Sequence, residues 1–228
     1  MTGAGPAQGR RWRGQSPQER REGRRRRLLD AGLELFGTTG YAATSLTALC
    51  ASAGVSPRHF YELYPGREQL LADLHDELAL ETARRVRQAH DTAPLSPEAR
   101  ISAGLSTALA YLTADPRRAR VLQLEAIGVS SWFDHHRREV IGVFAEATAE
   151  QYRLLAADGQ LVDRPFGPVA TALVGAVAEL LVDWLLTEPR RPPEELLPVA
   201  TEVFLAVFQG RAVHAPRTRS GGAPLRRA

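Results

Sequence analysis

The chain has 228 residues, 44% hydrophobic and 24% charged, with a single cysteine and a formal net charge of +3. That length can bury a core without disulfides or metals. The lone cysteine excludes an intramolecular disulfide, and the absence of a signal-peptide pattern after Met1 makes the cytoplasm the expected compartment. Charge is unevenly placed: residues 1–27 carry +7, residues 211–228 carry +5 and the stretch between them −9, with every basic residue an Arg. A basic arm on an acidic body points to a polyanion met at one end.

Residues 1–15 are rich in Gly, Pro and Arg and lack periodicity, which predicts disorder in the free protein. Arg10, Arg11, Trp12 and Arg13 there either follow a nucleic-acid backbone or form a solvated tail. Ser16-Pro17-Gln18-Glu19 is a capping box with Pro at the first helical position, and it predicts a helix from there to Thr38. Its core face is Leu28, Ala31, Leu35 and Phe36. Arg24 to Arg27 fall on its exposed side or edge, near phosphates or simply solvated.

The stretch from Thr44 to Arg67 organises the rest. Leu46, Leu49 and Cys50 give a short helix an apolar face, with Thr44 expected as its cap and Ser45 beside it at a terminus suited to an anion. Cys50 is expected to be a small buried core residue. Ala53-Gly54-Val55 makes a turn, Gly54 supplying positive φ. Ser56 and Pro57 then start a second helix whose Phe60, Leu63 and Tyr64 point one way and whose Arg58 and Glu62 point the other, flanked by His59 and Tyr61. An apolar face that holds a helix down and a polar face toward its start suit a major-groove recognition helix. Glu62 either accepts from a cytosine amine or is solvated.

Downstream, helices are expected from Arg67 to about Asp91 (Leu70, Leu71, Leu74, Leu78, Val86 buried) and from Ser96 (Ile101, Leu105, Ala108, Leu109, Leu112). Two more follow, after Asp115-Pro116 (Val121, Leu122, Leu124, Ile127) and from about Ser131 to Ala157 (Val140, Phe144, Tyr152). Residues 168–186 are apolar almost all round, yet Glu179 and Asp183 interrupt them, so a buried helix is expected and not a membrane span. A last helix over 194–210 carries Val199, Val203, Phe204, Val207 and Phe208. One subunit has little left to cover these two helices, so they are expected to form a four-helix homodimer interface.

Asp134, His135, His136 and Glu139 form the one suggestive polar cluster outside the head; it is taken as the solvated start of a helix, with no metal site and no cofactor expected. No P-loop, dinucleotide fingerprint, HExxH motif or nucleophile elbow is present, so no catalytic residue and no enzyme activity is expected.

The run Arg25–Leu71 resembles the DNA-binding domain of the TetR family of bacterial transcriptional regulators. The resemblance rests on Leu28-Leu29-Asp30-Ala31-Gly32, Leu35-Phe36, Gly40-Tyr41, Thr44-Ser45, Leu49-Cys50, Ala53-Gly54-Val55-Ser56, Phe60-Tyr61-Glu62-Leu63-Tyr64 and Arg67-Glu68. Gly32 departs from it, standing where the family has a helix-favouring Ala. The resemblance implies an all-α protein: an N-terminal three-helix head with a helix-turn-helix at 45–64, then a C-terminal helical ligand-binding and dimerisation bundle. The corresponding division is a basic, partly disordered arm over 1–21, a DNA-binding domain over 22–82, a ligand and dimer domain over 83–211 and a disordered tail over 212–228. It implies a cytoplasmic homodimeric repressor on a palindromic double-stranded DNA operator, answering to an unidentified small-molecule effector. Thr44, Ser45, Ser56, Pro57, Arg58, His59, Tyr61, Tyr64 and Arg67 would contact DNA. Leu109, Tyr111, Leu112, Trp132, Phe133, Phe144, Tyr152 and Trp184 are the candidates for a ligand pocket. The competing reading is a helical small-molecule carrier or enzyme using the apolar C-terminal bundle.

Overall fold

Capping chemistry fixes where the first helix begins. In the computed structural model, which describes residues 16–210, the Ser16 side chain accepts from the Glu19 amide at 3.1 Å, and the Glu19 carboxylate takes the Ser16 amide at 2.6 Å. Helix α1 runs Pro17–Thr38. It is followed by α2 (Leu46–Ala53), α3 (Pro57–Tyr61), α4 (Arg67–Thr92), α5 (Pro97–Thr113), α6 (Pro116–Gln123), α7 (Ser131–Ala157), α8 (Gly167–Leu186), a 3-10 turn (Pro193–Glu195) and α9 (Leu196–Gln209). The described residues contain no strand, so the protein is all-α there. The expected arm at Arg10–Arg13 and the tail from Arg211 lie outside the described residues.

The chain divides into two compact units. One takes the sequence up to Glu81 together with Leu112–Val140; the other takes Thr82–Tyr111 and the sequence from Ile141. Helices α4 and α7 each run from one unit into the other. The two units interleave along the sequence, and α6 falls in the unit that carries the head. The reason is steric and local. Gly37, buried at the end of α1, lets Arg117 of α6 come so close that a Cβ on Gly37 would collide with it. Asp115 caps α6 and grips Arg117 through Nε and Nη2, each at 2.8 Å, while Arg117 also pairs with Glu34 of α1. The core of this unit is Leu28, Leu29, Phe36, Leu49, Phe60, Leu70, Leu71, Leu74, Val121 and Phe133, all buried.

In the other unit the buried set includes Ile101, Leu105, Leu109, Tyr152, Leu155, Phe166, Leu173, Leu181, Trp184, Phe204 and Phe208. Tyr152 stacks on Phe166 at 3.9 Å, and Phe208 meets both rings edge-on. The Tyr152 hydroxyl donates to the Val162 carbonyl at 2.6 Å, and Arg164 lies over the stacked pair and donates to the Val207 carbonyl at 2.7 Å. Two expectations need correction. Helix α6 stops at Gln123, leaving Ile127 exposed and Leu124 as its cap residue. Val140 and Phe144 of α7 are only half-buried, the inward positions being Ala145, Ala149 and Tyr152. Val199 and Val203 of α9 face outward from the single chain.

Candidate nucleic-acid interface

The turn between α2 and α3 is built as its residues dictate. Ser45 caps α2, its hydroxyl accepting from the Ala48 amide at 3.1 Å. Gly54 ends α2 in the left-handed region at φ 58°, where a Cβ would be strained. Ser56 caps α3, accepting from the His59 amide at 3.3 Å and meeting His59 Nδ1 at 3.0 Å, with Pro57 at the first position. Phe60 is fully buried and packs on Tyr64 at 5.8 Å, which pins the helix. The outward edge then consists of Ser56, Pro57, Arg58, His59 and Tyr61, all exposed, and Arg58 is the most open, at 88% of its side chain. Glu62 lies 3.6 Å from Arg58 and 3.8 Å from Arg24, and its carbonyl accepts from Arg21. It thus sits beside the guanidinium one turn back while remaining exposed.

Three residues expected at the interface face elsewhere. Thr44 does not cap α2. It is 2% exposed, and its hydroxyl donates to the Gly40 carbonyl at 2.7 Å, closing the turn after α1, so Ser45 and not Thr44 presents its hydroxyl at the cap. Tyr64 is buried, its hydroxyl donating to Asp73 at 2.5 Å. Arg25 clamps the same carboxylate bidentately at 2.6 and 2.9 Å. Burial and the Asp73 carboxylate push the Tyr64 phenol well above its usual range, and Asp73 likewise raises Arg25. Arg67 opens α4, but its guanidinium donates to the Tyr41 carbonyl at 3.1 Å and to that of Thr44, and it lies 5.0 Å over the Tyr41 ring. Its charge fastens the loop ahead of α2.

The arginine run at 24–27 is likewise turned to internal use. Arg26 pairs with Asp30 at 2.6 Å and Glu77 at 2.5 Å, and Arg27 donates to the Ala53 carbonyl at 3.1 Å, so α1 is tied to α4 and to the end of α2. Only the long-range partners, invisible in sequence, separate these arginines from free surface charge. The Tyr41 amide is received by Glu125, just past α6, at 2.6 Å; Arg120 holds that carboxylate at 2.9 Å.

The eight aromatic and leucine candidates for a ligand pocket have separate neighbourhoods. In the head unit Leu112 and Phe133 are buried, and Trp132 lies half-exposed against Phe133. In the other unit Leu109 is buried, Tyr111 lies under Arg85, and Tyr152 belongs to the stacked cluster. Phe144 there is half-buried, and Trp184 donates to the Arg191 carbonyl at 2.9 Å beneath Arg190. A cleft of about 490 Å³ in that unit is lined instead by Glu146, Ala149, Arg153, Asp163, Arg164, Pro165, Phe166 and Gly167.

Sequence reasoning missed one grouping. It judged His136 only with its neighbours on α7, whereas folding brings His75 and Asp76 of α4 to His136. The signal lay in two helices far apart in sequence. His135 stays exposed, 3.4 Å from Glu139.

The class that the head defines is a helix-turn-helix domain of the DNA-binding kind. Residues 28–74 match the model of the family described as "Bacterial regulatory proteins, tetR family". No curated protein matches the chain in sequence. Among solved structures, a Syntrophomonas wolfei protein assigned to the TetR-family transcriptional regulators superposes with TM-score 0.73 at 18% identity, over 84% of this chain and 98% of that one. The fatty acid degradation regulator FadR of Bacillus halodurans gives 0.71 at 17% identity, over 87% and 100%. FadR of Bacillus subtilis, solved with stearoyl-CoA, gives 0.71 at 16% identity, over 83% and 99%. The head thus matches the tetR family's model, and the chain shares its fold with these solved regulators.

Proposed function

We propose that the protein is a homodimeric, effector-responsive repressor that binds a palindromic operator through α3. The observation that carries this reading is the exposed Arg58, His59 and Tyr61 edge on a helix capped by Ser56 and anchored by buried Phe60. Arg58 is long, open and steadied by Glu62, suited to the bidentate pairing of guanine N7 and O6. His59 and Tyr61 contact phosphate or an adjacent base. Ser45 and Ser56 lie at helix starts where amide groups face outward, a setting that favours phosphate.

Dimerisation is supported by α8 and α9. They pack on each other, yet α8 leaves Ala172 and Gly175 exposed, and α9 leaves Val199 and Val203 at 47% and 38%. Helix α8 is also the one helix among the described residues long and apolar enough to cross a membrane, but exposed Glu179 and Asp183 suit a wet interface better. A symmetric pair of heads would sit about one DNA turn apart, roughly 34–36 Å. An effector of apolar or mixed polarity, bound in the C-terminal bundle, would release DNA only by favouring a second conformation; a shift from 1:99 to 99:1 takes about 5.5 kcal/mol of differential affinity. The Bacillus subtilis neighbour's acyl-CoA makes long-chain acyl thioesters the first effectors to try.

Fluorescence anisotropy against the protein's own upstream DNA and a scrambled duplex, across a salt series, tests the reading. Tight selective binding with a steep salt slope is expected. Equal weak binding to both duplexes would refute it.

A further inference from the structure

Inside the head unit, away from the recognition edge, three metal-ligating side chains converge. His75 and Asp76 come from α4 and His136 from α7, with one ligand atom from each lying within 4.8 Å of the others. His75 is 1% exposed, and its Nδ1 is buried with no hydrogen-bond partner. The ring's bond is to the backbone of Leu122, so the other nitrogen is engaged and Nδ1 is left with a free lone pair. Nε2 of His136 is buried and faces Oδ1 of Asp76 at 2.9 Å, an ion-pair contact. Trp132 stacks on His136 at 5.5 Å and 10°, and Phe133 and His75 meet edge-on at 5.7 Å, so the two rings share one aromatic cluster.

An ordinary ion pair between His136 and Asp76 accounts for one contact and leaves His75 orphaned. A buried polar atom without a partner is costly, and a single cation between the three groups would satisfy Nδ1 while keeping Asp76 and His136 together. We propose that His75 Nδ1, Asp76 and His136 Nε2 form a binding site for a divalent transition-metal ion of the zinc class, with a fourth coordination position open. Two imidazoles and one carboxylate favour zinc, nickel, cobalt or iron over calcium or magnesium, which take oxygen ligands. Bond lengths of about 2.0–2.2 Å put such ligands a little over 3 Å apart. Asp76 and His136 already meet that, and His75 closes the remainder by a side-chain shift.

The surroundings agree. Glu139 adds negative charge near Asp76, Asp73 beside it is already paired with Arg25, and Arg137 is the opposing charge near His75. The Leu122 contact supplies the outer support that ligating imidazoles use. Asp76 keeps 42% of its side chain exposed, which gives the ion a way in. A bound ion would tie α4 to α7 within the unit that carries α3.

Tag-free full-length protein, stripped with chelator and dialysed, would be titrated with Zn²⁺ against a chromophoric chelator. One equivalent per chain is expected, with affinity falling at least tenfold in Asp76→Asn and in His136→Gln and unchanged in His135→Gln, circular dichroism confirming that each is folded. The Zn²⁺-dependent change in tryptophan emission should vanish in Trp132→Phe while binding persists. If both ligand variants fail to fold, the wild-type response decides: one equivalent with the Trp132 signal supports the site. No uptake by wild type, equal affinity in the ligand variants, or equal loss in His135→Gln overturns it.

Discussion

At the scale of single residues, two arginines near the recognition helix have opposite tasks. Arg58 is open and held only by Glu62 at 3.6 Å, so Arg58→Ala should leave stability within about 0.5 kcal/mol. It should cost about 1–3 kcal/mol at one base pair and relax specificity there, seen as a flattened preference in a single-substitution operator series. Arg67 serves the fold: its guanidinium satisfies the carbonyls of Tyr41 and Thr44 and lies over the Tyr41 ring. Arg67→Ala should lower unfolding stability by about 1–3 kcal/mol and leave the salt slope of DNA binding nearly intact. Arg67→Lys should rescue little, because one ammonium cannot reproduce the planar fork. A salt slope reduced by about one in Arg67→Ala, with unchanged denaturation, would return this residue to the phosphate contacts. Cys50 is a third case. Burial pushes its thiol up and leaves no thiolate to react. Ellman's reagent should not label the native protein and should label one thiol per chain in denaturant.

At the scale of elements, local chemistry made most boundaries legible. Ser16 with Glu19, Ser56 with Pro57 and Asp115 with Pro116 are short-range caps, and each helix starts where its cap says. Positive φ at Gly54 was readable for the same reason. What could not be read was choice among neighbours. Thr44 and Ser45 are equally good caps in sequence, and only the buried turn that draws the Thr44 hydroxyl to Gly40 decides between them. The arginines of α1 read as surface charge until Asp73, Glu77 and Ala53 arrive from elsewhere in the chain. Two glycines of α1 show the same divide. At Gly32 a Cβ would make only ordinary contact, 3.5 Å from Leu74 and from Phe36, so packing does not require glycine there. Gly32→Ala should therefore stabilise by about 0.4–1 kcal/mol. At Gly37 a Cβ meets the Arg117 side chain and lies 3.0 Å from its Cα, so Gly37→Ala should destabilise by about 1–3 kcal/mol as α6 is forced off α1. Chemical denaturation of the two variants side by side should give opposite signs; the same sign for both would mean that α6 approaches α1 differently.

At the scale of the whole molecule, the candidate site was legible in its outward edge, because a recognition helix is local, and illegible in its supports and in the His75–His136 grouping, because these join segments dozens of residues apart. The α8–α9 surface was legible as excess: too many apolar residues for one chain to cover. Val199 and Val203, one helical turn apart, are partly exposed in the single chain, so charge there is tolerated by the fold, whereas Phe204 and Phe208 beside them are buried in it. That difference separates folding from assembly in one experiment. In a symmetric interface each substitution enters twice. Losing a buried valine costs about 1.5–3 kcal/mol per copy, and a carboxylate taken out of water without a partner costs more. Val203→Glu should thus weaken the dimer at least 100-fold at about 1.4 kcal/mol per factor of ten, giving a monomer of unchanged helicity by sedimentation and circular dichroism. Operator affinity should fall with it, because two heads no longer act together, while affinity for an isolated half-site should stay the same. A Val203→Glu protein that sediments as a dimer would move the interface off α9. A monomer with undiminished operator affinity would keep the interface and remove the need for paired heads.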